Sequence, residues 1–324
     1  MIDRDRLLAL FLDLVRISSP SGEEDEVSAY LQRKLQEMRL EVDADEAGNL
    51  YAFVEGTGTP LCLTAHMDTV TPCERVTPVV EDGVVRSDGT SILGADDKSG
   101  IAAIIEAVTC ALESGGSHRP VDLLFTVEEE SGLLGAKAVE VGRLRARMAI
   151  GLDAEGEQGT LVMSAPGQNS LRAVVHGRAA HAGVEPERGI NAIRVAAEAI
   201  VAMPLGRIDE ETTANIGVIA GGRATNIVPD EVVLRGEARS RDAQKLAQQT
   251  DAMVSALEGA AAAAGATVEL DVQQAYESYR LDAQEPVIQL VTAAMRSLGL
   301  EPRPKATGGG SDANVLNTRG VRMV

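Results

Sequence analysis

The stretch LLFTVEEESGLLGA, residues 123–136, sets an apolar run directly against three glutamates. Leu123, Leu124, Phe125 and Val127 are what a strand buried on both faces supplies, so Glu128, Glu129 and Glu130 begin where that strand leaves its sheet. Adjacent anions repel unless a cation or bulk water screens them. Alone, the run has an ordinary reading as a solvated turn opening a helix, whose N-terminal dipole favours carboxylates. The rest of the chain decides between the two.

Outward from that stretch, strand and helix patterns alternate. NLYAFVEG and LCLTAH are short apolar strands, and SGIAAIIEAVTCALES places Ile101, Ile104, Ile105 and Val108 on one helical face. VDLLFTV is the next strand, GLLGAKAVEV reads as a helix and RMAIGLD as another strand. Two helices, near residues 3–16 and 24–38 with a turn at Ser18–Gly22, come first. This order predicts an α/β fold, a mainly parallel sheet with helices on both faces, whose ligands sit beyond the carboxyl ends of the strands. From about Gly167 to Gln273 the pattern changes. SLRAVVHG, TTANIGVIAG, EVVLRGEARS and ATVELDV alternate apolar and polar residues as one-face-buried antiparallel strands do, with two helical stretches between them. The expected organisation is a discontinuous first domain, residues 1–166 and 274–324, with an α+β domain of residues 167–273 inserted into it.

A chain of 324 residues has length for about two such domains. With 44% hydrophobic and 24% charged residues, the composition is that expected of a soluble globular protein. The net charge of -19 argues against nucleic acid or an anionic membrane surface as a partner, because a polyanion is repelled. Cys62, Cys73 and Cys110 give no disulfide framework, and their odd number suits a reducing compartment. The N-terminus lacks the uncharged core of a signal peptide, and no run of about eighteen apolar residues occurs, so the expected location is the cytoplasm.

Taken in order, the strand ends carry chemistry. LTAHMDTV brings His66 and Asp68, ILGADDKSG brings Asp96 and Asp97, TVEEESG brings Glu129 and Glu130, and IGLDAEG brings Asp153. Each has a dull explanation: a hydrogen-bonded His-x-Asp pair, ordinary helix capping, ordinary turn chemistry. A parallel sheet gathers all of them at one rim, where several carboxylates without a cation would repel strongly. Zinc accepts this mixture of nitrogen and oxygen donors.

TAHMDTV, LGADDKSG, FTVEEESG, LDAEG, HGRAAHAG, TNIVPDEVVLRGEAR and TGGGSDANV, running in order from near residue 10 to residue 324, resemble a known family. It is the dinuclear zinc exopeptidase family that includes peptidase T, the carboxypeptidase G type enzymes, aminoacylase and succinyl-diaminopimelate desuccinylase. GADDKSG and GLLGAK are most similar to its peptidase T-like tripeptidases. The resemblance implies a zinc-exopeptidase-like catalytic domain with an inserted lid and dimerisation domain. It implies two Zn2+ per subunit, replaceable by Co2+ or Mn2+. His66 and Asp153 would hold one ion and Glu130 the other, with Asp96 bridging and a cis peptide following it. Glu129 matches the general base and Asp68 the carboxylate that orients His66. The triple leaves a second register open, in which Glu128 is the base. His181 matches an oxyanion donor reaching from the lid of a second subunit in a homodimer. Asn226 and Arg239 match residues that hold the substrate and its carboxylate, with Arg241 a nearby competitor. Gly308, Gly309 and Gly310 would let backbone approach the substrate. His118 and His176 read as structural or exposed.

The activity implied is hydrolysis of a peptide bond in short peptides by a tripeptide aminopeptidase-like exopeptidase. Two other readings stay open: an N-acyl amino acid deacylase or amidohydrolase on the same site, and a peptide-binding homologue without turnover. One departure stands out. The family places a further histidine ligand on a loop after the strand that follows the GGGSDAN helix; here that strand begins at GVRMV, and no histidine follows. The expectation is a C-terminally incomplete catalytic domain that holds the His66 and Asp153 ion better than the other and hydrolyses peptides weakly or not at all.

Overall fold

In the computed structural model, which describes residues 2–154 and 156–324, the apolar run is the strand Val121–Thr126 inside a six-stranded sheet. Leu123, Leu124 and Phe125 are fully buried, as a strand covered on both faces requires. Leu61–His66 runs parallel to it on one side, followed by Met148–Gly151 and Arg322–Met323, also parallel. On the other side Leu50–Val54 pairs antiparallel, and Val42–Ala44 closes that edge. The register sets the rim. His66 lies opposite Thr126 and Thr64 opposite Gly151, so Asp153, two residues beyond Gly151, leaves the sheet level with His66.

This sheet belongs to a unit made of Met1–Met163, Leu281–Lys305 and Ser311–Val324. Alternation along its strands turns Leu50, Ala52, Val54, Ala65, Leu123 and Phe125 to one face, where they pack against three helices. Arg4–Arg16 is capped by the Asp3 carboxylate and buries Leu10 and Leu14; Asp25–Glu37 buries Val27, Leu31 and Leu35. The i, i+4 spacing of these residues makes a single apolar stripe. The third helix, Ala95–Ser114, buries Ile101, Ile104, Ile105 and Val108, and each such side chain contributes about 2 kcal/mol by leaving water. Cys62, Thr64 and Leu124, turned to the opposite face, are buried as well.

Two local readings needed the structure. GLLGAKAVEV forms only the short helix Leu134–Ala138, because the Gly135 amide is taken by the Val127 carbonyl and the chain leaves helical geometry at Val139. Pro78–Glu81 and Val84–Ser87 form an antiparallel hairpin whose turn residues, Asp82 and Gly83, both have positive φ. The Asp-Gly pair between valine runs was its sequence signal.

The second unit comprises Ser164–Arg280 and Ala306–Gly310. Its five-stranded antiparallel sheet runs in the order Gly206–Arg207, Thr212–Gly221, Glu231–Ser240, Gly167–His176, Thr267–Tyr276. The helices Ala192–Ala202 and Ala243–Ala264 cover one face. Ala192, Ala196 and Ala199 are small enough for the first helix to lie close, while Leu171, Val175, Val232, Leu234, Met253 and Leu257 fill the layer. Among the described residues no helix is long and apolar enough to cross a membrane.

Candidate metal centre

His66 ends its strand almost fully buried. Its Nδ1 lies 2.9 Å from the Asp68 carbonyl oxygen and 3.3 Å from Asp68 Oδ1, both acceptors, so Nδ1 carries the proton. Nε2 faces Asp96 Oδ1 at 3.0 Å, placing the other nitrogen at the open side of the rim. Asp96 opens the long helix across a cis peptide bond to Asp97. Gly100 at the next turn is required to be small: a Cβ there would run into the Asp97 carboxylate, whose Oδ1 accepts the Gly100 amide at 3.1 Å.

The glutamate run occupies a tight loop after its strand. Leu133 donates to the Glu129 carbonyl at 2.8 Å and Leu134 to the Glu128 carbonyl at 3.0 Å, while buried Asn49 accepts from the Val127 amide and donates to the Gly135 carbonyl. Glu128 takes a φ of 50, Glu129 turns inward and is buried, and Glu130 is exposed. Asp68 orients more than His66. Its Oδ1 accepts the Glu129 amide at 2.9 Å and its Oδ2 the Glu130 amide at 3.1 Å, so one carboxylate fixes both the imidazole and the glutamate loop.

Two sets of donor atoms lie within 4.8 Å of one another: His66, Asp96 and Asp153, and His66, Glu129 and Glu130. Their charges are badly matched. Burial, with Asp312 and other acids nearby, pushes Glu129 up to about 9; burial, with Asp96 and Asp312, pushes Asp153 up to about 7. Partial loss of water around its carboxyl raises Glu130 too, although the residue as a whole is exposed, and full burial raises Asp97 well above its usual value. Burial works against a charged His66, but its bonds to Asp68 and Asp96 outweigh it and hold the ring well above its usual value. Asp68 is lowered, because bonds from His66 and Ser21 overcome its burial. A rim of this kind, short of positive charge and offering one imidazole with several carboxylates, fits divalent metal ions. Nε2, which faces Asp96 Oδ1, is the nitrogen left to such an ion.

Sequence reasoning missed Asp312, a buried carboxylate that opens the helix Asp312–Thr318. Its Oδ2 accepts the Thr126 hydroxyl at 2.5 Å, and its Oδ1 has no hydrogen-bond partner among the described residues. Burial raises it to about 6. The only sequence signal was SDAN at a helix start, which reads as capping.

The remaining candidates lie in the second unit. His181 is exposed, forms an isolated bridge with Ile227 and accepts the Gly183 amide at Nδ1. Asn226 is exposed, and its carbonyl accepts the Ala182 amide at 2.9 Å. Arg239, half-buried, sits in a two-bonded fork with Glu237 at 2.9 and 3.0 Å; Gln168 in turn donates to Glu237, and Tyr276 to Gln168. The Gly309 amide bonds the Thr307 hydroxyl at 3.2 Å, and a Cβ on Gly310 would strike the Tyr276 ring. Arg241 instead donates to the Glu210 carbonyl.

Residues 164–264 match the family model of a peptidase dimerisation domain, and residues 49–193 match that of peptidase family M28. The chain is 43% identical over 334 residues to the uncharacterized protein YqjE of Bacillus subtilis (strain 168), covering 100% of this chain and 90% of that one. A tripeptidase (SAV1512) from Staphylococcus aureus subsp. aureus Mu50 has a crystal structure similar to this chain with a TM-score of 0.95 and 41% identity, over 100% of this chain and 89% of the other. Aminopeptidase PepT from Bacillus cereus ATCC 10987 gives a TM-score of 0.89 and 39% identity, over 99% and 89%.

Proposed function

The chain belongs to the peptidase T-like family of metallopeptidases, and from that premise we propose that it is a metal-dependent exopeptidase acting on short peptides, tripeptides foremost. The observation that carries this reading is the pair of donor sets sharing His66 at the strand rim. On this reading His66 and Asp153 would hold one divalent ion and Glu130 the other, with Asp96 shared between them. Zinc suits these donors, with Co2+ or Mn2+ as substitutes. When bound, the metal pair lowers the pKa of an attacking water and polarises the scissile carbonyl.

The chain's own groups do the rest. Glu129, buried beside the donors, takes the proton of the attacking water and delivers it to the leaving amine. Asp68 keeps the His66 Nδ1 protonated, so that Nε2 is the ligating atom, and holds the Glu129 amide so that its side chain keeps one aim. Arg239 receives the substrate carboxylate by exchanging it for Glu237, a swap of like for like at a guanidinium fork. Asn226 and the backbone at Gly309 hold the peptide. His181 donates to the oxyanion from a partner subunit of a homodimer formed through residues 167–273. The first unit is then the catalytic domain, the second the lid, and the location is the cytoplasm.

The test strips the protein with chelator, reloads it with Zn2+, Co2+ or Mn2+, and assays tripeptides, dipeptides and N-acyl amino acids. Tripeptide hydrolysis that appears on metal loading, at however low a rate, is the expected result. Preference for acyl amino acids would move the assignment to a deacylase, and peptide binding without turnover under every metal would overturn it.

A further inference from the structure

The segment ISSPSGEE, Ile17 to Glu24, joins the first two helices and has no part in the chemistry described above. Connectors of this kind usually lie in solvent and bond to water. This one is buried at two points: Ser19 is fully buried and Glu24 is 6% exposed, with Gly22 and Glu23 between them in solvent. Its bonds go to the turns of the candidate centre. Buried Lys98 donates to the Ile17 carbonyl at 2.6 Å. The Ser19 hydroxyl donates to the Met67 carbonyl at 2.9 Å, the Thr69 amide returns a bond to the Ser19 carbonyl at 2.9 Å, and Pro20 bridges Thr69. The Ser21 hydroxyl donates to Asp68 Oδ2 at 2.6 Å, and Glu24 Oε1 accepts both the Gly22 and the Glu128 amides at 3.0 Å.

Glu128 explains why such contacts are needed. Its left-handed backbone is strained for a residue with a side chain, and a half-buried amide left unpaired there would add to that cost. Glu24 supplies the acceptor. From the other side, Ser21 fills the remaining place on the Asp68 oxygen that also holds the Glu130 amide. We propose that Ile17–Glu24 is a clamp on the glutamate loop, with Ser21 and Glu24 as positioning residues that act on Glu129 and Glu130 through Asp68 and the Glu128 amide. The catalytic half of this statement rests on Glu129 being the general base; the clamp itself does not.

The experiment pairs kinetics with backbone hydrogen exchange of the chelator-treated protein. Ser21→Ala and Glu24→Ala should each lower kcat about tenfold with KM nearly unchanged, since a small misplacement of a reacting group is felt in the transition state. In both variants the amides of Glu128, Glu129 and Glu130 should exchange at least about tenfold faster, with protection elsewhere retained. Glu24→Gln keeps a carbonyl oxygen at the same place and should restore both readouts. Exchange that rises throughout the chain, exchange unchanged at residues 128–130, or Glu24→Gln as damaging as Glu24→Ala would overturn the clamp. Loss of loop protection in a protein that hydrolyses no peptide would uphold the clamp and fail the peptidase reading instead.

Discussion

Three consecutive glutamates have three different environments, and the proposed roles follow that difference. Glu128 spends its backbone on the turn, Glu129 is buried beside the donor cluster, and Glu130 faces the open side of the rim. Glu129→Gln should keep bound metal but lower kcat by at least about a hundredfold, the usual scale for a lost proton-transfer group. Glu130→Gln should lose metal, read by equilibrium dialysis, and Glu128→Gln should be mild. A crippled Glu128→Gln beside a mild Glu129→Gln would shift the register by one. Arg239 poses a similar question. Because Glu237 already occupies its fork, Glu237→Ala should leave an unpaired guanidinium, and inhibition by free carboxylates, measured as Ki, should tighten.

At the level of elements, the first and third helices are pinned by charge as well as by apolar packing. Arg6 Nε lies 2.6 Å from Glu106 Oε2, and the Asp3 amide bonds the same carboxylate. The Arg6 bonds hold the Glu106 carboxyl down to about 2 from its usual 4.5. A depressed carboxyl stabilises the fold above its unfolded value and loses that contribution as pH falls toward its folded one. The denaturation midpoint should therefore drop between about pH 4.5 and about pH 2, and Glu106→Gln should flatten the drop over that window while lowering stability at neutral pH. The start of the third helix offers a steric counterpart. Gly100→Ala pushes a methyl into the Asp97 carboxylate and should cost about 1–3 kcal/mol in denaturant unfolding, the range for overpacking a buried site.

For the whole molecule, the predictions concern assembly. Light scattering should report a dimer, in keeping with the dimerisation-domain match over residues 164–264. A His181→Ala chain mixed with a Glu129→Gln chain should regain activity. In such a dimer one site has its own Glu129 and the partner's intact lid histidine; if His181 served its own chain, neither site would be whole. No recovery in verified mixed dimers would place the histidine in cis or outside the reaction.

The sequence alone determined the layer order, because periodicity is local. Alternation of period two, apolar helix faces and long buried runs are properties of neighbouring residues, and they gave the mainly parallel sheet, the antiparallel second sheet, the strand ends where His66, Glu129 and Asp153 emerge and the helix start that carries Asp96. Tertiary structure decided what depends on residues distant in the chain. That Asp68 also holds the glutamate loop, that Asp312 is buried under Thr126, and that Glu24 reaches Glu128 across a separation of 104 positions follow from packing register. Read locally, SDAN is a helix cap and SSPSGEE a helix connector. Only the folded chain brings these groups within bonding distance, where the cost of burying an unpaired carboxylate or amide makes their partners specific.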